Sequence, residues 1–155
     1  MQKITSFTID HTRLLPGIYV SRIDENNGLK VTTFDLRLKT PNADAVMDTA
    51  SLHALEHLGA TYLRNSEIKD KIVYFGPMGC RTGFYLIVFG EVSSKEIYPY
   101  VLDMLDFIIS YTGEIPGASP VECGNYKDLD LDGAKLHANA YREILLNTPR
   151  FTYPE

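Results

Sequence analysis

The stretch GIYVSRIDENNGLKVTTFDLRLKTPN, residues 17–42, restricts the fold more than any other part of the chain. GIYVSRI and LKVTTFDLRL alternate apolar and polar side chains with a period near two, the repeat of a strand with one buried face. Between them, ENNG supplies Asn27-Gly28, the pair that accepts the left-handed backbone of a tight hairpin turn. Val31, Phe34, Leu36 and Leu38 are expected on the core side, with slippage at Thr32 and Thr33, and Pro41 ends the strand. A hairpin commits the sheet to antiparallel pairing.

The other segments fit around it. Asn42 or Asp44 can cap a helix running to about Asn65. KIVYFG and TGFYLIVFGEV are rich in β-branched and aromatic residues and read as two strands joined by PMGCR. Ser93 with Glu96 forms a capping-box signature for a helix to about Tyr111, with Pro99 early enough to be tolerated. TGEIPGASPVECGNY is loop, and LDGAKLHANAYREILLN is a last helix stopped before Pro149. No linker or repeat divides residues 1–155, so one domain is expected, of class α+β with a mostly antiparallel sheet and packed helices.

Composition narrows the function classes. At 45% apolar and 23% charged, the chain has the balance of an ordinary globular protein. No apolar run reaches the length of a membrane span, and the N-terminal MQKITSFTIDHTR has no apolar signal core, so a cytoplasmic protein is expected. The net charge of −5 and the lack of a basic patch argue against nucleic acid as a partner. Two cysteines, Cys80 and Cys123, do not make a disulfide framework; free thiols, metal ligands or a nucleophile fit better.

SLHALEHLGATYL, from Ser51 to Leu63, carries the chemistry. At about 100° per residue, His57 and Glu56 fall within about 60° of His53 on the helix. Met47, Leu52, Leu55, Leu58 and Leu63 cover the remaining sides, so the helix is apolar around most of its girth and expected to be buried. Buried imidazoles and a carboxylate need partners. Histidines at i and i+4 can share one divalent ion, leaving the glutamate beside it to move protons, an H-x-x-E-H arrangement. Two histidines and a glutamate paired with core neighbours would be the purely structural alternative.

A catalytic ion takes three protein ligands and keeps one position open. Cys123, in the loop segment PVECGNY, suits the third ligand, with His137 and His11 as rivals. Cys80 lies in the turn FGPMGCRTGFY, where the adjacent Arg81 and exposure would lower a thiol pKa and allow it to act as nucleophile or acid/base; an inert turn cysteine is the alternative.

HALEHLGATYLRN, GPMGCRTGFY and ECGNY, with SFTIDH and FDLRLKTPN, occur in order along the chain. In these motifs the chain resembles the S-ribosylhomocysteine lyase (LuxS) family over essentially its whole length. The resemblance implies an α+β homodimer with two active sites at the subunit interface. It implies cleavage of the thioether of S-ribosylhomocysteine to homocysteine and 4,5-dihydroxy-2,3-pentanedione, the autoinducer-2 precursor of quorum sensing. It implies one divalent metal per subunit, natively Fe²⁺ and replaceable by Zn²⁺ or Co²⁺, on His53, His57 and Cys123. Cys80 and Glu56 match the acid/base pair. Ser6, His11 and Arg37 match substrate contacts, the first two reaching in from the partner subunit. One position departs: where many members carry Asp, six residues before the catalytic Cys, this chain has Tyr74.

The H-x-x-E-H helix alone also fits a small metallopeptidase with Glu56 as base on a bound water, or a closed structural metal site in a binding module.

Overall fold

A computed structural model describes residues 2–154. Its regular elements are a short 3-10 turn at Thr5–Phe7, strands β1 (Gly17–Asn26), β2 (Leu29–Arg37), β3 (Ile72–Pro77) and β4 (Gly83–Phe89), and helices α1 (Thr49–Leu63), α2 (Ser94–Ser110) and α3 (Leu131–Asn147). The strands form one antiparallel sheet in the order β1-β2-β4-β3. The expected α+β architecture is present.

The first hairpin turns at Asn27 and Gly28, with φ of 52° and 79°, the left-handed pair its sequence anticipates. β1 and β2 stay in register except at a bulge between Val20 and Arg22. Phe34 and Leu36 point to the helices, as expected. Val31 does not: it pairs with Asp24 and Phe89 and shares the opposite face with Asp35 and Arg37, because side chains alternate strictly along the strand. The even positions Thr32, Phe34 and Leu36 take the helix side. Thr32 is tolerated there because its hydroxyl donates to the Gly90 carbonyl (2.7 Å) and accepts from Val92 N (3.1 Å).

α1 starts later than Asn42 or Asp44. Asn42 takes a left-handed φ of 61°, and the Asp44 carboxylate accepts from Thr40 N behind it (2.7 Å), so neither faces a following helix. Asp48 is the cap, accepting from Ser51 N at 2.9 Å. α2 has both halves of its capping box: Ser93 Oγ accepts from Glu96 N, and the Glu96 carboxylate accepts from Ser93 N. α3 begins on Asp130, which accepts from Asp132 N and Gly133 N.

One face of the sheet carries the core. Ile18, Phe34, Leu36, Phe75, Phe84, Leu86 and Val88 pack against Leu55 and Leu58 of α1, Val101 and Leu105 of α2, and Ala138 and Tyr141 of α3. Phe75 and Phe84 stack with centroids 4.9 Å apart. Gly59 lets α1 sit against β3: a Cβ there would overlap Phe75 Cε1 and lie 3.2 Å from Met104 Sδ.

No helix covers the other face among the described residues. It carries Thr33, Asp35, Arg37, Tyr74, Tyr85, Ile87 and Phe89, of which Tyr74 and Phe89 are largely exposed. At its β1 side the segment after α3 folds back: Ile18 N donates to the Arg150 carbonyl (2.9 Å), and Tyr153 stacks on Tyr19 with centroids 4.7 Å apart and 17° between planes.

Candidate active site

α1 brings His53 and His57 to one side, and the loop between α2 and α3 brings Cys123 to meet them. Ligand atoms of the three lie within 4.8 Å of one another, and Cys123 Sγ is 3.5 Å from His53 Nε2. Each histidine spends its other nitrogen on the backbone of that loop. His53 Nδ1 is 2.8 Å from the Asp128 carbonyl and His57 Nδ1 is 2.7 Å from the Pro116 carbonyl. A carbonyl only accepts, so both protons sit on Nδ1 and both Nε2 lone pairs are free. Two such nitrogens and a thiolate are the donor set of a tetrahedral Zn²⁺ or Fe²⁺ site with one open position. The residues therefore fit a divalent ion. The expected rivals for the third place, His11 and His137, stand outside this cluster.

Glu56 stands between the two histidines on α1, half-buried and outside the ligand group. Gly117 closes against the centre; a Cβ there would come within 3.1 Å of His57 Nδ1, and its φ of +76° suits glycine.

Cys80 lies in the β3–β4 turn. Met78 N donates to the Gly83 carbonyl and Arg81 N to the Met78 carbonyl, both at 2.9 Å. The turn puts Arg81 in the left-handed region, with φ of 59°. Arg81 is not the cation that acts on the thiol. Its Nη1 donates to the Met47 carbonyl at 3.2 Å instead. The cation is Arg37 of β2, whose Nη1 reaches Cys80 Sγ at 3.8 Å and donates to Thr82 Oγ1 at 2.7 Å. Having accepted from Arg37, the Thr82 hydroxyl can donate to Cys80 Sγ, 3.1 Å away. Burial pushes the thiol pKa up, but the Thr82 hydrogen bonds and the Arg37 charge together outweigh it and hold the pKa below its ordinary 9.0. Arg37 itself is 3% exposed and paired with Asp35, Nη2 to Oδ2 at 2.7 Å.

Ser6, His11, Arg37 and Cys80 line one cavity of about 480 Å³ with Asp44, Thr82 and Tyr85. His11 is oriented by its Nδ1, 2.9 Å from the Ile9 carbonyl. The described lining residues include none of His53, Glu56, His57 and Cys123. Within one chain the thiol cavity and the ligand cluster are thus two separate assemblies. Tyr74 also lies off the cavity, on the uncovered sheet face.

Sequence reading missed Asp35, Thr82 and Tyr153. The Tyr153 hydroxyl donates to Asp35 Oδ2 at 3.0 Å. Asp35 and Arg37 at i and i+2 on one strand are a readable pair, since alternate residues share a face; the Tyr153 contact, across 118 residues, carries no local signal.

Comparison with known proteins agrees with this arrangement. The S-ribosylhomocysteinase (LuxS) family profile matches residues 4–150. An S-ribosylhomocysteine lyase of Finegoldia magna is 50% identical over 157 residues, covering all of both chains. The S-ribosylhomocysteine lyases of Borreliella burgdorferi and Clostridium beijerinckii are each 54% identical, over 95% of this chain and 94% of their own. With a profile match across nearly the whole sequence and relatives of half-identical sequence at full coverage, the chain belongs to the S-ribosylhomocysteinase (LuxS) family.

Proposed function

We propose that this protein is a carbon–sulfur lyase that cleaves S-ribosylhomocysteine to homocysteine and 4,5-dihydroxy-2,3-pentanedione. The observation that carries the reading is the convergence of His53, His57 and Cys123 in a chain of this family. A divalent ion held there, Fe²⁺ in the cell with Zn²⁺ or Co²⁺ as substitutes, would supply Lewis acidity toward the sugar oxygens.

The chain's own residues move protons. The thioether becomes labile only when a carbonyl stands at C3 of the opened sugar, two carbons from the C–S carbon. Moving the carbonyl from C1 to C3 requires a proton to be taken from one carbon and returned to the next, twice, through enediolates. The Cys80 thiolate, held by Arg37 and Thr82, and the Glu56 carboxylate are the two bases suited to this. Loss of a proton from C4 then expels homocysteine thiolate from C5. Ser6, His11 and Arg37 contact the hydroxyl-rich substrate in the cavity they line. With Tyr74 off that cavity, Asp44 on its wall is the carboxylate available for the homocysteine ammonium.

The reading also takes the protein as a homodimer. Tyr85, Ile87 and Phe89 on a sheet face without helices need cover. The division that the resemblance implies, with only Ser6 and His11 coming from the partner, is extended here: Arg37 and Cys80 share their cavity and the ligand cluster is separate from it in one chain, so a complete site takes Ser6, His11, Arg37 and Cys80 from one subunit and the metal ligands with Glu56 from the other. Two free thiols suit a reducing cytoplasm, and no helix among the described residues is long and apolar enough to cross a membrane.

The direct test is anaerobic homocysteine release from S-ribosylhomocysteine, with metal analysis of the same sample. Release that scales with bound metal supports the reading. Metal-replete protein that releases no thiol overturns it.

A further inference from the structure

Asp35 is a carboxylate on the sheet face away from the hydrophobic core, yet it is 2% exposed. Burying a charge this completely is costly unless it is paired. Its pairing is lopsided. Oδ2 accepts from Arg37 Nη2 at 2.7 Å and from the Tyr153 hydroxyl at 3.0 Å, while Oδ1 and Arg37 Nε have no partner. One carboxylate oxygen is thus shared between the arginine that touches Cys80 and a tyrosine from the segment after α3. Burial raises the titration of Tyr19, Tyr85, Tyr141 and Tyr153, and the Asp35 charge adds to it in each. Of these four, Tyr153 is the one hydrogen-bonded to Asp35.

Tyr153 is itself held. It stacks on Tyr19, whose hydroxyl donates to the Leu15 carbonyl at 2.7 Å. Two residues earlier, Phe151 meets Tyr98 of α2 edge-on at 5.4 Å. The path from Tyr153 to the thiol is continuous: Tyr153 hydroxyl, Asp35 Oδ2, Arg37 guanidinium, then Thr82 and Cys80. A guanidinium is planar, so the bond at Nη2 sets the direction in which Nη1 points.

We propose that Asp35 and Tyr153 are positioning residues for the lyase reaction: the Tyr153 hydroxyl fixes the Asp35 carboxylate, and Asp35 in turn aims Arg37 at Cys80 and Thr82. The segment after α3 thereby belongs to the acid/base machinery although it does not line the cavity. The inference rests on the proposed role of Cys80, but it is tested on the thiol itself.

The experiment measures alkylation of Cys80 by iodoacetamide as a function of pH in metal-loaded protein, followed by mass spectrometry of the Cys80 peptide. Charged and titratable groups around that thiol are Arg37 from β2, His11 and Asp44 from the segments before β1 and α1, and Tyr85 of β4; Arg81 is turned away to Met47. None of these changes in Tyr153→Phe, which keeps the ring stack and removes the hydroxyl that donates to Asp35 and also meets Ser21. The expected result is a profile displaced to higher pH, with alkylation near neutrality slowed roughly two- to tenfold, the range of one lost hydrogen bond. kcat should fall in parallel at neutral pH and recover at higher pH, with KM little moved and the urea midpoint lowered by no more than the loss of one hydrogen bond accounts for. Asp35→Asn should move the profile further. Should Asp35→Asn fail to fold, Tyr153→Phe decides alone. A folded Tyr153→Phe protein with the wild-type alkylation profile overturns the inference. If instead the profile shifts while Cys80→Ala still turns over substrate, the relay stands and the proposed role of Cys80 falls.

Discussion

Arg37 Nη1 lies 3.8 Å from Cys80 Sγ, across 43 residues of sequence, because β2 and the start of β4 are direct neighbours. A fixed cation beside an exposed thiol makes the thiolate the resting form over a wider pH range. Arg37→Lys keeps the charge and loses the fork that serves Asp35, Thr82 and Cys80 together. The thiol pKa should rise by on the order of one unit, and the acid limb of the kcat profile should move to higher pH with it. The sign for stability follows. The folded pKa lies below the ordinary 9.0, so this thiol stabilises the fold fully above that value, and the contribution is lost as pH falls through the folded pKa. Denaturant midpoints of Arg37→Lys and wild type, measured against pH, should differ most at the alkaline end of that window.

Cys123 and Cys80 should separate cleanly in metal content. Cys123→Ala removes one of three ligands, and metal affinity should fall by more than about 100-fold, the upper end for losing only an outer partner of a ligand. Cys80→Ala and Glu56→Gln should retain the metal and the fold while homocysteine release disappears. Elemental analysis after gel filtration reads the first effect, and a thiol assay the second. Full metal occupancy in Cys123→Ala would remove it from the ligand set.

Mixed dimers test how a site is shared. If the cavity comes whole from one subunit and the ligands with Glu56 from the other, a Cys80→Ala subunit paired with a Glu56→Gln subunit restores one intact site of two, and about half the wild-type rate per dimer returns. Cys80→Ala paired with His11→Ala should restore nothing, since both defects lie in the same cavity and each site inherits one. Recovery in the second mixture, with heterodimer verified by native mass spectrometry, would contradict the proposed division.

Gly59 gives a prediction opposite to helix propensity. Ala in place of Gly inside a helix ordinarily gains about 1 kcal/mol. Here the new methyl meets the Phe75 ring, which is buried and stacked on Phe84, so Gly59→Ala should instead destabilise by about 1–3 kcal/mol, the cost of an overfilled core. Urea denaturation reads the sign directly.

The sequence was informative where chemistry is local. The Asn27-Gly28 turn, the Ser93–Glu96 capping box and the His53–His57 spacing each lie within a few residues, and each holds in the structure. Val31 reads as core from its sequence although strict alternation puts it opposite Phe34, because Thr32 occupies a core position that looks too polar for it. Asn42 and Asp44 are good caps in general and suggest an early start for α1, whereas Asp44 is occupied with Thr40. Arg81 stands beside Cys80 in sequence, yet Arg37 acts on it, because adjacency along the chain is visible in a sequence and adjacency across a sheet is not. The carbonyls of Pro116 and Asp128 carry no sequence signal, since every residue offers the same main-chain acceptor whatever its side chain.

The two imidazole-to-carbonyl bonds have a consequence for how an ion is captured. His57 grips the loop at Pro116 and His53 grips it at Asp128, so the span bearing Cys123 is pinned at both ends to one helix. The Asp130 N–H adds a third tie, to the Ala50 carbonyl at 3.1 Å. The ligands are thereby arranged as a chelate whose ring is closed by backbone hydrogen bonds that do not involve the ion. The chain entropy of bringing a loop thiolate to a helix is spent in folding, and association with the ion has little left to lose. A protein stripped of its ion should keep the pincer nearly closed and take up a replacement without refolding.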